Sequence, residues 1–235
     1  MKLIKMLANL GYGSRKDIKK MIKDGLIKVN GNAPLDVMDD IEPEKDVVEV
    51  LGQKVYYNDD LTILLNKPSG YLSSNKDEEY PSVLRLIEDK FARLNLNIAG
   101  RLDQDSEGML ILSNNGPLIH QITSPKSGVN KTYYVELALQ ITETEKKNLS
   151  SSMALLDSKG EYYIAKAKEI KIVDDKSLYI TISEGKFHQV KKMVEHVGNE
   201  VTYLRRVSIG KLELGDLKAG EYKVLSQEEI LLMFE

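Results

Sequence analysis

Three carboxylates stand at alternate positions in the segment GRLDQDSEGMLILS, residues 100–113. Asp103, Asp105 and Glu107 precede an apolar run that predicts a buried strand. One of these carboxylates could do chemistry at the end of that strand, and a pair of acids could divide the roles in glycoside hydrolysis. The segment is equally compatible with a polar turn in which Gly108 serves backbone geometry. Taken alone, the segment leaves these interpretations open.

The same residues open with the D-x-D-x-x-G pattern of a calcium-binding EF-hand loop. That loop requires a bidentate glutamate at residue 114, where this chain has Asn114. The apolar pattern at residues 109–112 also begins where the loop would have to continue. We therefore expect no metal ion at this segment.

A second segment with candidate chemistry is SEGKFHQVKKMVEHVGNEV, residues 183–201. A turn at Glu184-Gly185 is followed by a predicted helix, which buries Val190, Met193, Val194 and Val197. An adjoining face, with residues three and four positions apart, carries His188, Lys191 or Lys192, and Glu195. A cation can therefore project from a packed helix toward a cleft.

The elements that must position these segments are mostly strands. Strands are predicted in LTILLN, LNIAG, MLILS, KTYYVELAL, YYIAKAKEIKIV, SLYITIS and VTYLRRVSIG. Helices are predicted near residues 81–92, 116–123, 142–150 and 186–197. Because strands and helices do not alternate regularly, the expected class is α+β, with a mixed or antiparallel sheet.

Two domains are expected, because 235 residues exceed the ~100–150 that one core typically takes. Residues 51–60 mix Gly, Asn and acids, which indicates a linker. We predict a small domain with its linker over residues 1–58 and a larger domain over residues 59–235. The carboxylates and the candidate helix fall in the larger one.

The N-terminal segment is basic although the whole chain is not. Residues 1–31 hold eight basic and two acidic residues, a net +6 in a chain of total charge −3, so the remainder carries −9. This asymmetry favours a module that binds a polyanion, and a solvated helix face without a partner is the alternative. Gly11–Gly13 should end a first helix, Ser14 and Asp17 should cap a second one, and LIKVNG predicts a strand and a turn.

Composition excludes several classes of site. The chain has no cysteine, which excludes disulfides, thiolate metal sites and cysteine nucleophiles. No window approaches the ~18 apolar residues of a membrane helix. Because Lys5 interrupts the apolar N-terminus, no signal peptide is predicted there. We expect a cytoplasmic protein that does not associate with a membrane.

The segment LANLGYGSRKDIKKMIKDGLIKVNG resembles the S4 RNA-binding domain, whose helix-turn-helix carries basic residues on one face. The basic residues of the second predicted helix recur every three or four positions and are Arg15, Lys16, Lys19, Lys20 and Lys23. The resemblance implies that they bind RNA. Contacts with phosphates would raise affinity without reading sequence.

Four further segments resemble the pseudouridine synthases of the RsuA type, which modify ribosomal RNA. They are NKPSGYLSS (66–74), GRLDQDSEGMLIL (100–112), KTYYVEL (131–137) and EGKFHQVKKM (184–193), in the order that the family keeps. Relatives that act on large-subunit rRNA tend to have Asn-Arg-Gln where this chain has Phe187-His188-Gln189. The difference resembles the branch that acts on 16S rRNA.

The resemblance implies a role for each matched residue. Asp103 matches the catalytic aspartate, and Lys191 matches the basic residue paired with it. Arg101 matches the arginine associated with the flipped-out nucleotide, and Tyr133 matches the aromatic residue that stacks on the target base. Tyr134 points to the opposite face of its strand, so that only one of the two tyrosines can line the cleft.

The remaining expectations also come from the resemblance. Lys131, His188, Gln189 and Lys192 are expected to contact RNA, whereas Asp105 and Glu107 have no catalytic counterpart. The expected reaction converts a uridine of 16S rRNA, expected to be uridine-516, to pseudouridine after base flipping. It requires no cofactor and no metal, and the protein is expected to be a monomer that acts on a small-subunit assembly intermediate. The alternatives are a 23S rRNA pseudouridine synthase, a non-catalytic S4-type RNA-binding or assembly factor, and a glycosidase.

Overall fold

The computed structural model describes residues 1–34, 36 and 38–235, and its contacts divide the chain into two compact units. The first unit consists of Met1–Leu61 and Ile87–Leu96, and the second consists of Thr62–Leu86 and Asn97–Glu235. Helices lie between some of the strands without a regular alternation, which confirms the predicted α+β class. Among the described residues, no helix has both the length and the apolar character needed to cross a membrane.

The first unit combines short helices with a small antiparallel sheet in the order β1-β2-β3. Its elements are α1 (Leu3–Asn9), α2 (Arg15–Lys23), β1 (Ile27–Val29), β2 (Val48–Val50), β3 (Gln53–Lys54) and α3 (Asp89–Ala92). The capping box predicted for α2 is present: the Ser14 side chain accepts from the Asp17 N–H, and Asp17 accepts from the Ser14 N–H. The segment predicted as a linker instead contributes β3 to this sheet.

The second unit is built around a nine-stranded sheet with the order β10-β11-β7-β12-β6-β4-β14, to which β5 and β13 add beside β6 and β12. Its strands are β4 (Thr62–Lys67), β5 (Asn97–Ala99), β6 (Glu107–Ser113), β7 (Lys131–Leu137), β8 (Met153–Leu156), β9 (Tyr162–Ala165), β10 (Glu169–Asp174), β11 (Ser177–Ile182), β12 (Val201–Ile209), β13 (Leu212–Glu213) and β14 (Tyr222–Val224). Its helices are α4 (Gly116–Thr123), α5 (Glu143–Leu149), α6 (Gln189–His196) and α7 (Gln227–Leu232), with 3-10 turns at Val83–Leu86 and Pro125–Ser127. The pair β6–β12 is parallel and the other pairs are antiparallel, so the sheet is mixed, as expected.

The strands β4 and β6 form the centre of this unit. All six residues of β4 are buried, and β6 is buried from Gly108 onward. Such a run without alternation is typical of strands covered on both faces. Helix α4 packs beside these strands, and its Leu118 and Ile122 belong to the same core as Leu64 and Ile111. The carboxylates that precede β6 are thus carried by one of the most deeply buried strands.

The predicted strand YYIAKAKEIKIV is in fact two strands. Tyr162–Ala165 pairs with Met153–Leu156 in a separate hairpin, whereas Glu169–Asp174 pairs with β11 in the main sheet. No Gly or Pro marks the break between the two strands, so the sequence pattern does not reveal it. The sequence patterns also missed β8, β13, β14 and α7.

Gly108 is required where β6 meets β12. Its φ is +99°, and a Cβ at this position would collide with the backbone nitrogen and oxygen of Arg206 on the parallel neighbour. We expect Gly108→Ala to lower the free energy of unfolding by about 3 kcal/mol, because strain and overpacking add. Urea denaturation measures this loss. Gly116→Ala is the matched control, since Gly116 has open space around its Cβ position and no positive φ, and an equal loss there would contradict the explanation.

Candidate active site

Residues from three separate segments line one small pocket of the second unit. Asp103 lies in the loop that leads into β6, Tyr133 lies on β7, and His188 immediately precedes α6. The cavity has a volume of about 50 Å3, and Arg101 and Gln189 also line it. The structure therefore brings together five of the residues singled out from the sequence.

The carboxylate of Asp103 lies between two side chains of the α6 segment. Nε2 of His188 is 3.2 Å from Oδ1 of Asp103, and Nζ of Lys191 is 3.3 Å from Oδ2. The side chains of Asp103 and Lys191 are each 26% exposed, so the pair is shielded and still reachable from solvent. The predicted proximity of Lys191 to Asp103 is confirmed.

Lys191 has a second and shorter partner in Asp105. Its Nζ donates to both carboxylate oxygens of Asp105, at 2.7 and 2.8 Å. Burial alone would raise the pKa of Asp105, but the hydrogen bonds and the charge of Lys191 outweigh it and lower the pKa. Burial likewise opposes the ammonium of Lys191, and the two aspartates outweigh it and raise its pKa. Asp105, for which only a place in the turn was predicted, therefore holds Lys191 beside Asp103.

Tyr133 is the tyrosine of its strand that faces the pocket. It is only 6% exposed, and its hydroxyl lies 3.4 Å from Nη1 of Arg206. Tyr134 lies on the opposite face, where its ring contacts the rings of Tyr179 and Tyr203. The expectation that only one of the two tyrosines lines the cleft is confirmed, and that residue is Tyr133.

Arg206 is a buried support of this pocket that the sequence patterns missed. It is 1% exposed, and besides reaching Tyr133 it donates to the carbonyl oxygens of Met109 and Gly100, both at 2.8 Å. It thereby ties β12 to β6 and to the start of the loop that carries Asp103. The Arg-Arg pair in VTYLRRVSIG could have indicated this burial. Neighbouring residues of a strand point to opposite faces, so one of the two arginines must face the interior.

Lys67 supports the same loop from β4. It is fully buried, and its Nζ donates to the carbonyl oxygens of Pro68 at 3.1 Å, Gln104 at 3.2 Å and Ser106 at 2.7 Å. Burial lowers the pKa of Lys67 to about 8. The position of this lysine at the end of the apolar strand TILLNK could have indicated that it binds main-chain oxygens, because a buried ammonium needs several acceptors.

Lys131 and Gln189, for which the resemblance implies contacts with RNA, lie inside the protein. Both are buried, at 3% and 2% exposure. Nζ of Lys131 donates to the Val129 carbonyl at 3.1 Å, and burial lowers the pKa of Lys131 to about 8. Oε1 of Gln189 accepts from the backbone N–H groups of Gly185 and Lys186. The polar atoms of both side chains are thus bound within the protein, and of the two residues Gln189 lines the pocket.

The other predicted RNA contacts are accessible to different degrees. Arg101 is exposed at the pocket edge. Lys192 is half-buried: its Nζ donates to the Leu156 carbonyl at 2.6 Å and lies 5.3 Å from the centre of the Phe187 ring. In the first unit, all five predicted basic residues of α2 are exposed, and the buried residue of that helix is Ile18. In the described part of the chain, no group of three or more His, Asp or Glu residues could hold a metal ion.

Comparisons with known proteins agree with this arrangement. The family model described as RNA pseudouridylate synthase matches residues 61–196, and the model of the S4 domain matches residues 1–33. The chain is 41% identical over 239 residues to the "Uncharacterized RNA pseudouridine synthase YtzG" of Bacillus subtilis (strain 168), with 100% of this chain and 99% of the relative covered.

One further relative and one solved structure are also similar over nearly the whole chain. The "Ribosomal small subunit pseudouridine synthase A" of Pasteurella multocida (strain Pm70) is 35% identical over 232 residues, with 98% of each chain covered. A solved structure described as "Crystal structure of pseudouridylate synthase" superimposes with a TM-score of 0.69 at 34% identity and covers 99% of both chains. The chain therefore belongs to the RNA pseudouridylate synthase family and carries an S4 domain at its N-terminus.

Proposed function

We propose that this enzyme isomerises one uridine of 16S rRNA, uridine-516, and that Asp103 is its catalytic residue. The proposal is carried by the position of Asp103, which lies in one pocket with Tyr133 and is flanked by Lys191 and His188. The small-subunit substrate is inferred from relatives such as the ribosomal small subunit pseudouridine synthase A of Pasteurella multocida.

The reaction breaks the N1–C1′ bond of the uridine, turns the freed uracil and joins C5 to C1′. N1 gains a proton and C5 loses one, so the product is an isomer and no redox partner is consumed. Asp103 contacts the reacting nucleotide, while the ammonium of Lys191 supplies a positive charge beside its carboxylate. Asp105 acts through Lys191 by keeping that ammonium in position.

The target base must leave its stack before it can reach Asp103. Flipping a nucleotide costs a few kcal/mol, and stacking on an aromatic side chain returns ~1–3 kcal/mol per base. Tyr133 provides this aromatic side chain, and Arg206 holds its hydroxyl. Arg101, which is exposed and lines the pocket, is proposed to hold the flipped nucleotide.

The experiment that tests the proposal is position-resolved mapping of pseudouridine after incubation of the full chain with rRNA. Separate reactions contain the 16S transcript, the 23S transcript and partly assembled small subunits. We expect one new pseudouridine in 16S rRNA, at uridine-516, formed best in the assembled particle. Modification of 23S rRNA alone would overturn the substrate, and the absence of pseudouridine in all three reactions would overturn the function.

The basic face of α2 is proposed to hold RNA through its phosphates. Replacing Arg15, Lys16, Lys19 and Lys20 with Ala should weaken RNA binding and make it less dependent on salt, by up to ~0.7–0.9 units of log–log slope for each lost phosphate contact. Filter binding over a range of salt concentrations measures both effects. A variant in which Lys54, Lys147, Lys171 and Lys218, also exposed, are replaced with Ala carries the same change in charge. Equal slopes in the two variants would show that α2 is not the RNA-binding face.

A further inference from the structure

The two oxygens of Asp103 are held in different ways. Lys191, near Oδ2, is fixed independently by its two hydrogen bonds to Asp105. His188, near Oδ1, has no ion-pair partner among the described residues other than Asp103. A reacting nucleotide needs hydrogen-bond distance to one carboxylate oxygen. The oxygen that can be released without disturbing the Lys191–Asp105 pair is Oδ1.

The backbone conformation and a neighbouring ring orient the imidazole of His188 toward Asp103. His188 has φ +53° and ψ +27°, a left-handed conformation that is uncommon outside glycine. Strained residues of this kind persist where the surrounding structure holds them, and they cluster at functional sites. The Phe187 ring stacks on the imidazole at a centroid distance of 3.7 Å and an angle of 20°. Phe187 is itself 53% exposed, so the stacked pair lies at the rim of the pocket.

The pocket behind His188 is too small for a nucleotide. Its volume is about 50 Å3, whereas ligand pockets ordinarily measure ~300–1,000 Å3. The walls formed by Tyr133 and Gln189 are buried and hydrogen-bonded, but the side chain of His188 is 38% exposed. Among these residues, His188 is the one that can move outward at least cost.

We propose that His188 is a positioning residue that binds Oδ1 of Asp103 in the free enzyme and leaves it when the uridine enters. The inference rests on the proposed catalytic role of Asp103. Histidine changes charge between pH 5 and 8, and a charged imidazolium binds a carboxylate more strongly than neutral imidazole does. Entry of the nucleotide therefore becomes harder toward low pH, while the isomerisation that follows entry does not.

Other ionisable groups surround His188 and must be considered in any pH dependence. They are Arg101, Asp103 and Asp105 from the loop before β6, Tyr133 from β7, Glu184 and Lys186 from the segment before α6, and Lys191 and Lys192 on α6. Two buried lysines also belong to this set, because burial lowers the pKa of Lys67 and of Lys131 to about 8, and their protonation contributes to the pH dependence of the wild type and of every His188 variant alike.

Single-turnover kinetics at pH 6 and pH 8 test the proposal, with enzyme in excess over the rRNA that the wild type modifies. His188→Asn removes the imidazole and keeps a residue type that tolerates positive φ. We expect the half-saturating enzyme concentration of the wild type to rise about fivefold from pH 8 to pH 6. In His188→Asn it should change less than twofold, and the ratio of maximal rates between the two pH values should match that of the wild type.

Two further variants complete the design. Phe187→Leu removes an exposed ring that orients the imidazole, so its pH effect should be smaller than that of the wild type even if His188→Asn folds poorly. His196→Gln is the control, because His196 is exposed on the same helix and should leave the wild-type pH effect intact.

The outcomes separate this inference from the proposed function. Equal pH effects in an active wild type, His188→Asn and Phe187→Leu would overturn the role of His188 and leave the proposed function standing. The half-saturating enzyme concentration of the wild type could instead be lower at pH 6 than at pH 8. If this decrease were absent in His188→Asn, the imidazolium would bind RNA phosphates and not Asp103. A wild type without activity on any rRNA would overturn the proposed function, and with it this inference.

Discussion

Asp103→Asn is expected to abolish pseudouridine formation, with a loss of about 10³- to 10⁴-fold or more in single-turnover rate. The substitution keeps the size of the side chain and removes the negative charge that lies between His188 and Lys191. Stability should change by less than about 1 kcal/mol, because the ion pair of Asp103 with Lys191 is partly exposed and Lys191 retains Asp105. Rates on rRNA and thermal melting measure the two effects.

Asp105→Asn is the matched control for this prediction. It removes a carboxylate that lies in the same loop and binds the same lysine, Lys191. The charge of Asp103 stays in place. We expect a smaller loss of rate, because Asp105 acts only by holding Lys191. An Asp103→Asn variant that turns over like the wild type, or an Asp105→Asn variant that is the more damaged of the two, would refute the assignment.

Arg206→Met is expected to lower the free energy of unfolding by about 3–5 kcal/mol. It leaves the carbonyl oxygens of Met109 and Gly100 buried without their donor, and each such loss costs ~1–3 kcal/mol. It also removes the hydrogen-bond partner of Tyr133, so the remaining folded protein should have a reduced maximal rate. Urea denaturation followed by circular dichroism measures the loss of stability.

Arg205→Met provides the comparison on the same strand. Arg205 is half-buried on the opposite face and borders a different cavity, beside Tyr179. Arg205→Met makes the same change of residue type as Arg206→Met. We expect it to lower the free energy of unfolding by less than half as much. If the two variants were equally destabilised, the hydrogen bonds of Arg206 could not be the cause.

Local features of the fold were predictable because a few neighbouring residues determine them. Ser14 and Asp17 are three positions apart, and their capping box forms within one helical turn. The alternation of a strand was enough to separate Tyr133 from Tyr134. The order of the four motifs, together with the S4-like start, was enough to identify the family before any contact was known.

Contacts between distant segments were not predictable from the residues alone. Asp105 and Lys191 are 86 positions apart, and Arg206 bonds to Gly100 across 106 positions. The residues next to Asp103 and Asp105 in the sequence do not show that Asp103 lies against His188 and that Asp105 binds Lys191. The burial of Lys131 and Gln189 was missed for the same reason, because polar residues in a functional motif suggest ligand contact, whereas tertiary packing decides what they bind.

The hydrogen bonds of Lys67 have a consequence for how this enzyme tolerates mutation. Lys67 binds the main-chain oxygens of Gln104 and Ser106, not their side chains. The shape of the loop beside Asp103 is therefore independent of the side chain at position 104. Position 104 is therefore free to vary without moving the Asp103 carboxylate, because every amino acid supplies the same carbonyl group.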